Sequence, residues 1–185
     1  MKNHETKTDY TNHEAIIREL YLNYYEQLYG YGMAIYPNQQ VIRDAIQDIF
    51  LWLWEHPEKL RQIQQISHYL FTALRRNIYE IQKHSNWKKE KERINQHQFN
   101  PESNDLPIEY DWLAAEQEKD YASWLAEKIV ELSPRHREVL YLHFYQGFGY
   151  EEIAKINNTS NQVVRNYVSL AIKKLRQLSK SFRLY

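Results

Sequence analysis

The sequence predicts an all-α protein of two small helical domains joined by an acidic linker, with a helix-turn-helix as the C-terminal domain. Apolar residues recur at helical spacing along most of the chain, without the alternation typical of a half-buried strand. Glycine and proline number only 4 and 5 in 185 residues, so helix breakers are few. The periodicity stops over residues 94–111, where two prolines and several acids indicate a linker between domains at 10–93 and 112–185.

Three helices are expected in the first domain. The first, over residues 14–34, has an apolar stripe of Ile16, Ile17, Leu20, Tyr24, Leu28 and Tyr31. Pro37 can open the second, over about 39–55, because its fixed φ suits a first helical position. The stripe of this second helix comprises Ile42, Ile46, Ile49, Phe50 and Leu53. His56-Pro57 should end it, and a third helix with a basic tail should follow over about 64–90.

In the second domain, helical patterning resumes near residue 112 and continues to 131. Ser133 and Pro134 then suit the N-cap and the first position of a helix that Gly147 should close. A short helix over residues 150–156 is followed by a turn in which Asn158 can adopt the left-handed conformation. Ser160 should cap a last helix reaching about residue 180.

The last two helices and their tight turn predict helix-turn-helix geometry, in which the second helix lies in the major groove of DNA. Its inward face should comprise Val164, Val168, Ala171, Ile172 and Leu175. The side chains expected to face outward are of the kinds that bind base edges and phosphates, namely Asn161, Gln162, Arg165, Asn166 and Ser169. A surface helix whose polar residues are merely solvated fits the same spacing about equally well.

The formal net charge of zero conceals an uneven distribution of charge. Eight basic and three acidic residues lie in 61–93, two basic and nine acidic in 96–131, and nine basic and three acidic in 132–185. Two basic blocks around an acidic one are compatible with nucleic-acid binding. The chain has no cysteine, and we find no catalytic motif, so we expect no enzymatic activity, cofactor, metal or small-molecule substrate. A polar N-terminus and the lack of a long apolar run predict a cytoplasmic protein.

Residues 132–179 resemble the C-terminal domain of extracytoplasmic-function sigma factors. Four short runs match the usual family order: Leu132-Ser133-Pro134-Arg135, Arg137-Glu138-Val139, Tyr150-Glu151-Glu152-Ile153-Ala154 and Lys173-Lys174-Leu175-Arg176. The run Gln162-Val163-Val164-Arg165-Asn166 is similar to versions frequent in members from Bacteroidetes. The resemblance implies that the upstream, −35 promoter element is bound by Ser160, Asn161, Gln162, Arg165, Asn166, Tyr167, Ser169, Lys173 and Lys174.

Residues 42–54 resemble the helix with which this family binds RNA polymerase. Asp44, Gln47 and Asp48 should lie along one side of a helix, where they can meet a basic surface. Taken alone, the same residues could form a solvated acidic face. The resemblance extends over about residues 21–178 and implies that these three side chains bind the core polymerase.

Residues 69–75 look like the family segment that captures the melted strand of the downstream, −10 element. Single-strand binding combines aromatic stacking with cations along the backbone. Candidates for these contacts are Lys59, Arg61, Arg75, Arg76, Asn77, Lys83, Trp87, Lys88 and Lys89. Tyr69 and Phe71 are expected to pack in the core rather than stack on bases.

The sequence departs from the family pattern at three places. Arg76 and then Asn77 follow Arg75, whereas the family usually has Asn directly after the arginine, so the family pattern for base capture is not matched at this position. Asn157 and Thr159 occupy turn positions that are usually apolar. Tyr167 replaces a common basic residue of the recognition helix, which should change its DNA contacts.

These features together predict a sigma factor that brings core RNA polymerase to specific promoter DNA. The resemblance also implies a membrane-bound anti-sigma factor as a partner and a linker that threads the polymerase channel, although composition alone fits a solvated tether equally well. A helix-turn-helix regulator that is not a sigma subunit is the main alternative. A module that binds only proteins is a third possibility, and it predicts no DNA affinity even at low salt.

Overall fold

A computed structural model describes the backbone of residues 3–93 and 124–179, and the side chains of residues 13–83 and 124–179. The chain divides into two compact units, Met1–Gln98 and Phe99–Tyr185. Within the described ranges every regular element is a helix, which confirms the all-α prediction. The predicted linker at 94–111, the expected helix start near residue 112 and the basic residues Lys180 and Arg183 lie outside the described residues.

The first unit contains four helices: α1 (Asn3–Ile35), α2 (Gln39–Glu55), α3 (Pro57–Leu60) and α4 (Ile66–Arg93). The three long helices confirm the prediction, although α1 begins well before residue 14. The single turn α3 was not predicted. It begins where His56-Pro57 was expected only to end a helix, because a proline that stops one helix is also suited to the first position of the next.

Pro37 does not open α2, contrary to the prediction. Asn38 is the N-cap, with extended backbone at φ −134° and ψ 103°, and its Oδ1 accepts from the backbone N–H of Val41 at 3.1 Å. An asparagine oxygen satisfies an N–H at the helix start that has no partner within the helix, so the helix begins after Asn38. Pro37 therefore lies in the connection between α1 and α2.

The core of the first unit forms where α1, α2 and α4 meet. Every predicted stripe residue of α2 is buried. From α1 and α4, the rings of Tyr31 and Phe71 meet edge to face at 5.0 Å. Gly32 allows α1 and α2 to approach closely, since an added Cβ would lie 2.7 Å from Cγ2 of Ile42. Ile16, predicted to belong to the apolar stripe, is instead 40% exposed.

The second unit contains a helical stretch over residues 124–130, here α5, followed by α6 (Pro134–Leu140), α7 (Tyr150–Ile156) and α8 (Asn161–Ser179). Ser133 caps α6 as predicted, with its Oγ accepting from the N–H of His136 at 3.4 Å. A wider π-helical turn, Tyr141–Tyr145, continues α6. Gly147, at φ +69°, then reverses the chain, as glycine does at many helix ends.

The turn between α7 and α8 has the predicted geometry. Asn158 adopts a φ of 47°, in the left-handed region, and Thr159 N–H donates to the carbonyl of Ala154 at 2.9 Å. Ser160 caps α8, with its Oγ accepting from Val163 N–H at 3.3 Å. The predicted inward face is confirmed: Val164, Val168 and Ala171 are buried, while Ile172 and Leu175 pack against a cluster of Leu132, Leu140 and Ala171.

Candidate polymerase-binding and DNA-binding surfaces

The three predicted polymerase-binding side chains are all exposed on α2. Since the apolar stripe of α2 is buried against the rest of the unit, Asp44, Gln47 and Asp48 lie on the solvent side of the helix. Gln40 Nε2 donates to Asp44 Oδ1 at 2.9 Å, which adds a second amide to the same face. We call this set of four side chains the α2 polar face. It is rigidly placed, because the opposite side of α2 is part of the core.

Apolar side chains continue along α2 beyond the polar face, and the sequence reasoning missed them as part of the surface. Leu51 is 52% exposed and follows Gln47 by four residues, so it lies on the same side of the helix. Trp52 and Trp54 are also exposed. The ring of Trp52 stacks on His56 at 4.5 Å, on the side of the unit where Tyr69 also approaches it at 6.2 Å. Leu51, Trp52 and Trp54 lie outside the predicted apolar stripe of α2, and their exposure could have been predicted from that position.

The candidate −10 residues with described side chains lie on two segments. Lys59 and Arg61 are exposed in and after α3. On α4, Arg76 and Lys83 are exposed, whereas Arg75 and Asn77 are half-buried. The candidate side chains of Trp87, Lys88 and Lys89 lie outside the described ones, although their backbone is helical.

Two of the α4 arginines make contacts within their own helix. The Arg75 guanidinium lies 4.5 Å from the centre of the Tyr79 ring, and Arg76 Nε donates to Glu80 Oε1 at 3.0 Å. Phe71 is fully buried, as expected, while Tyr69 is half-buried. Burial raises the pKa of Tyr69, and the nearby charge of Arg76 opposes that rise.

The recognition helix α8 presents most of its predicted DNA-binding residues to solvent. Exposed side chains are Ser160, Gln162, Arg165, Asn166, Ser169, Lys173 and Lys174, while Asn161 and Tyr167 are partly buried. Hydrogen bonds along the helix hold several of them in place. Gln162 Nε2 donates to Asn166 Oδ1 at 3.0 Å, and Arg165 Nε donates to Asn161 Oδ1 at 2.8 Å. The Gln162 amide and the Arg165 guanidinium, two groups suited to base edges, are thus already oriented on one face of α8.

One flank of α8 contacts the preceding elements of the unit. Lys174 Nζ donates to the main-chain oxygen of Glu131 at 2.7 Å, just after α5. Arg135 Nη1 donates to the hydroxyl of Tyr167 at 3.1 Å from the first turn of α6. Arg135 was recognised in the sequence only as part of a motif, because its proximity to Tyr167 depends on a contact across 32 residues.

Within the described part of the chain, no group of three His, Cys, Asp or Glu side chains is placed to hold a metal ion. None of the helices searched over those same residues is both long and apolar enough to cross a membrane.

Comparison with protein families gives two matches in chain order. The model of Sigma-70 region 2 matches residues 20–88, and that of Sigma-70 region 4 matches residues 122–175. The first match contains the α2 polar face and the second contains the helix-turn-helix. The chain belongs to the sigma-70 family. Members of this family are transcription initiation factors and not enzymes, which confirms the function predicted from the sequence.

Two solved structures share the fold. The sigma factor RpoE of Bartonella quintana, determined in complex with the anti-sigma factor NepR, aligns with a TM-score of 0.63 at 21% identity, covering 88% of this chain and 96% of that one. CnrH, in complex with the cytosolic domain of CnrY, aligns with a TM-score of 0.59 at 14% identity, covering 95% and 94%. No curated protein sequence gives a significant match. The similarity to members from Bacteroidetes stays a prediction.

Proposed function

We propose that this sigma factor binds core RNA polymerase through the α2 polar face and reads the −35 element through α8. The observation that carries the proposal is the pairing of two exposed polar helix faces, one in each unit, each opposite a buried apolar stripe. The α2 face lies among the residues that match Sigma-70 region 2, and the α8 face lies among those that match Sigma-70 region 4.

The α2 face suits a basic protein surface. Asp44 and Asp48 supply two carboxylates one helical turn apart, and Gln47 adds a group that can both donate and accept. Leu51, on the same side of α2, adds an apolar contact that can exclude water from the charged pairs. Charge sets the orientation of such an interface, and the apolar contact supplies much of its affinity.

The α8 face suits the major groove of duplex DNA. Gln162, Arg165 and Asn166 have the amide and guanidinium groups that bind base edges bidentately. We assign the exposed side chains of Ser160, Ser169 and Lys173 to contacts with the DNA backbone. We assign Asn161 chiefly to orienting Arg165, because its Oδ1 accepts from that guanidinium.

The −10 element should be bound in its melted form by α3 and α4. Lys59, Arg61, Arg76 and Lys83 supply exposed cations, and the half-buried Tyr69 supplies an aromatic ring on α4. Stacking and backbone contacts of this kind bind unpaired strands without a duplex groove. Asn77 and the pair formed by Arg75 with Tyr79 are partly buried, so we assign them to supporting this surface.

We further propose that the protein acts in the cytoplasm and is held inactive by an anti-sigma factor at the membrane. The support is that RpoE of Bartonella quintana and CnrH were both determined in complex with a protein partner, an anti-sigma factor for RpoE and the cytosolic domain of CnrY for CnrH. Affinity purification from solubilised membranes should recover a membrane protein together with the sigma factor. Recovery of polymerase subunits alone would contradict this proposal.

Run-off transcription with core polymerase and a library of genomic promoter fragments tests the main proposal. The wild-type protein should support specific initiation, and an Asp44→Ala, Gln47→Ala, Asp48→Ala variant should not, while keeping its helical circular dichroism. The matched control is Glu19→Ala, Asn23→Ala, Glu26→Ala, which removes two acids and an amide from exposed positions on α1 and should initiate normally.

Two results would contradict the proposal. If the wild type binds DNA but never activates core polymerase, the chain acts as a simple helix-turn-helix regulator. If the triple variant of α2 initiates as well as the α1 control, the polymerase contact lies elsewhere on the molecule.

A further inference from the structure

The guanidinium of Arg165 contacts side chains from two helices. Its Nε donates to Oδ1 of Asn161, one turn earlier on α8, at 2.8 Å. Its Cζ lies 5.4 Å from the centre of the ring of Tyr150, the first residue of α7. An exposed side chain of the recognition helix is therefore held both from within α8 and from the neighbouring helix.

The position of the Tyr150 ring is set by the residues around the start of α7. The Gly149 N–H donates to Oε2 of Glu152 at 2.7 Å, which fixes the backbone at the first turn of the helix. The ring of His143, from the π-helical turn, lies 4.8 Å from the Tyr150 ring, with 32° between the two planes. Tyr150 is half-buried. Backbone and ring contacts together therefore hold Tyr150 in place beside α8.

His143 is in turn fixed by a hydrogen bond to the main chain. Its Nδ1 lies 3.0 Å from the carbonyl oxygen of Phe148, and because a carbonyl only accepts, Nδ1 is the donor. Phe148 is buried, so the carbonyl that holds the imidazole belongs to a residue anchored in the core of the unit. A series of contacts thus runs from the core through His143 and Tyr150 to Arg165.

The two contacts of Arg165 use parts of the guanidinium that a base does not need. A bidentate contact with a base edge uses two N–H groups, and guanine O6 and N7 are the commonest acceptors. Asn161 takes the proton of Nε, and the face of the Tyr150 ring attracts the positive charge of the group. The N–H groups of the two Nη atoms therefore remain available to a base.

Holding the guanidinium in place should affect both affinity and base preference. A long arginine side chain loses rotamer freedom when it is ordered on a base, and less is lost where the side chain is already ordered in the free protein. A fixed orientation also aligns the donors with one arrangement of acceptors and misaligns them with the others, which increases the difference in affinity between base pairs.

We propose that Tyr150 and His143 are positioning residues for Arg165, so that α7 and the π-helical turn contribute to base preference in the −35 element through that arginine. This inference rests on the proposed role of α8 in reading the element. The Tyr150 ring holds the guanidinium by a cation–π contact, and His143 holds the ring. The base pair that suits this arginine contains guanine, whose O6 and N7 accept from two N–H groups.

The base preference of the full-length protein tests this role without knowledge of the promoter sequence. The wild type first selects a duplex from a randomised pool, and Arg165→Gln then identifies the base pair whose preference depends on that arginine. Preference is the Kd for the duplex substituted at this base pair divided by the Kd for the selected duplex, measured by fluorescence anisotropy. The test variants are Tyr150→Leu, Tyr150→Phe and His143→Leu, and Tyr150→Leu is also combined with Arg165→Gln.

Tyr29→Leu is the matched control, with helical circular dichroism as the check on folding for every variant. Tyr29 is also half-buried, and its ring also has an arginine over it, since Cζ of Arg43 lies 5.9 Å from the ring centre. Tyr29 lies on α1, outside the proposed DNA-binding surfaces. Its replacement should leave the preference at the wild-type value.

We expect Tyr150→Leu to reduce the preference about two- to fivefold, as loss of an exposed cation–π contact would. Tyr150→Phe should keep the preference, because it keeps the ring and removes only the hydroxyl. His143→Leu should reduce the preference less than Tyr150→Leu. In the Arg165→Gln background, Tyr150→Leu should have no further effect, because a positioning residue acts only through the group that it positions.

Three kinds of result would overturn the inference. If Tyr150→Phe loses as much preference as Tyr150→Leu, the hydroxyl contacts DNA directly and the ring does not position Arg165. If Tyr150→Leu keeps the preference, or acts equally with and without Arg165, Tyr150 serves only the stability of α7, and the −35 assignment of α8 stands. If the wild type selects no sequence, or Arg165→Gln changes the preference at no base pair, the positioning role and the base-reading role of Arg165 fail together.

Discussion

The exposed faces of α2 and α8 share a construction and differ in chemistry. Each lies opposite a buried apolar stripe, so the core fixes its orientation. The α2 face is acidic and continues into exposed Leu51 and Trp54. The α8 face consists of amides, hydroxyls and cations, with Gln162 bonded to Asn166 along the helix. An acidic face with apolar neighbours is suited to a basic protein surface, whereas ordered amides and cations are suited to nucleic acid.

This difference also explains why a net charge of zero does not argue against DNA binding. The carboxylates of the first unit include those of Asp44 and Asp48, on a surface that should face protein. The cations of the second unit include Arg165, Lys173 and Lys174, on a helix that should face DNA. Because electrostatic interactions between exposed charges are screened over about 10 Å in physiological salt, each surface acts through its local charge and not through the total.

The largest expected effect is the loss of polymerase binding in Leu51→Asp. An added carboxylate on the apolar part of the α2 surface would be buried without a partner, and we expect core affinity to fall by about 2 kcal/mol or roughly 30-fold. Binding to duplex DNA should not change. Leu170→Asp is the matched control, because Leu170 is also 52% exposed but lies on α8. Fluorescence anisotropy with core polymerase measures both variants, and equal losses would show that α2 is not the distinctive contact.

Arg165→Ala should have the opposite effect, because it should weaken binding to DNA and not binding to polymerase. It removes a guanidinium whose Nε donates to Asn161 Oδ1, so affinity for a promoter duplex should fall by about 1–2 kcal/mol, with relaxed preference at one base pair. Binding to core polymerase should not change. Competition between promoter variants in a gel-shift assay measures the preference. A uniform loss over all sequences would reassign Arg165 to the backbone.

Most of the fold could be predicted from sequence because it depends on local signals. The stripe of α2, the Ser133 cap and the left-handed Asn158 each follow from residue type and spacing, and the structure has all three. The start of α2 near residue 39 was also predicted, but the role of Pro37 in opening it was wrong, because the Asn38 side chain caps the helix. The π-helical turn after α6 could not be predicted from residue type or spacing. It depends on the path that the backbone takes from α6 to Gly147.

The candidate surfaces were predictable to the extent that they lie on one helix. Asp44, Gln47 and Asp48 share a face because of spacing alone, and the structure exposes all three. The contact between Arg135 and Tyr167 joins two elements and could not be inferred from either one. The exposure of Leu51 could have been deduced from its place outside the α2 stripe.

A smaller effect, on stability, is expected at the turn that positions α8. Asn157 Oδ1 is buried and has no hydrogen-bond partner within the described residues. Asn157→Leu removes this unsatisfied oxygen and should raise the free energy of unfolding by about 1 kcal/mol. Asn158→Leu, one residue later, should lower it by about 1–2 kcal/mol, because its φ of 47° is unfavourable for leucine. Urea denaturation measures both, and changes of the same sign would contradict this reading of the turn.

The smallest expected effect concerns the pH dependence of stability in the second unit. Burial first, and Lys174 second, lower the pKa of His136 below its usual 6.5, so the folded protein resists its protonation. Above that value the imidazole is neutral in both the folded and the unfolded chain, and it imposes no penalty. As the pH falls below 6.5, the unfolded chain takes up the proton first and stability decreases.

His136→Gln cannot titrate, so its melting temperature should decrease less than that of the wild type between neutral and mildly acidic pH. Lys174→Gln should also decrease less, but by a smaller margin, because burial is the larger cause. Parallel curves for wild type and His136→Gln would show that this imidazole is as easily protonated in the fold as in the unfolded chain.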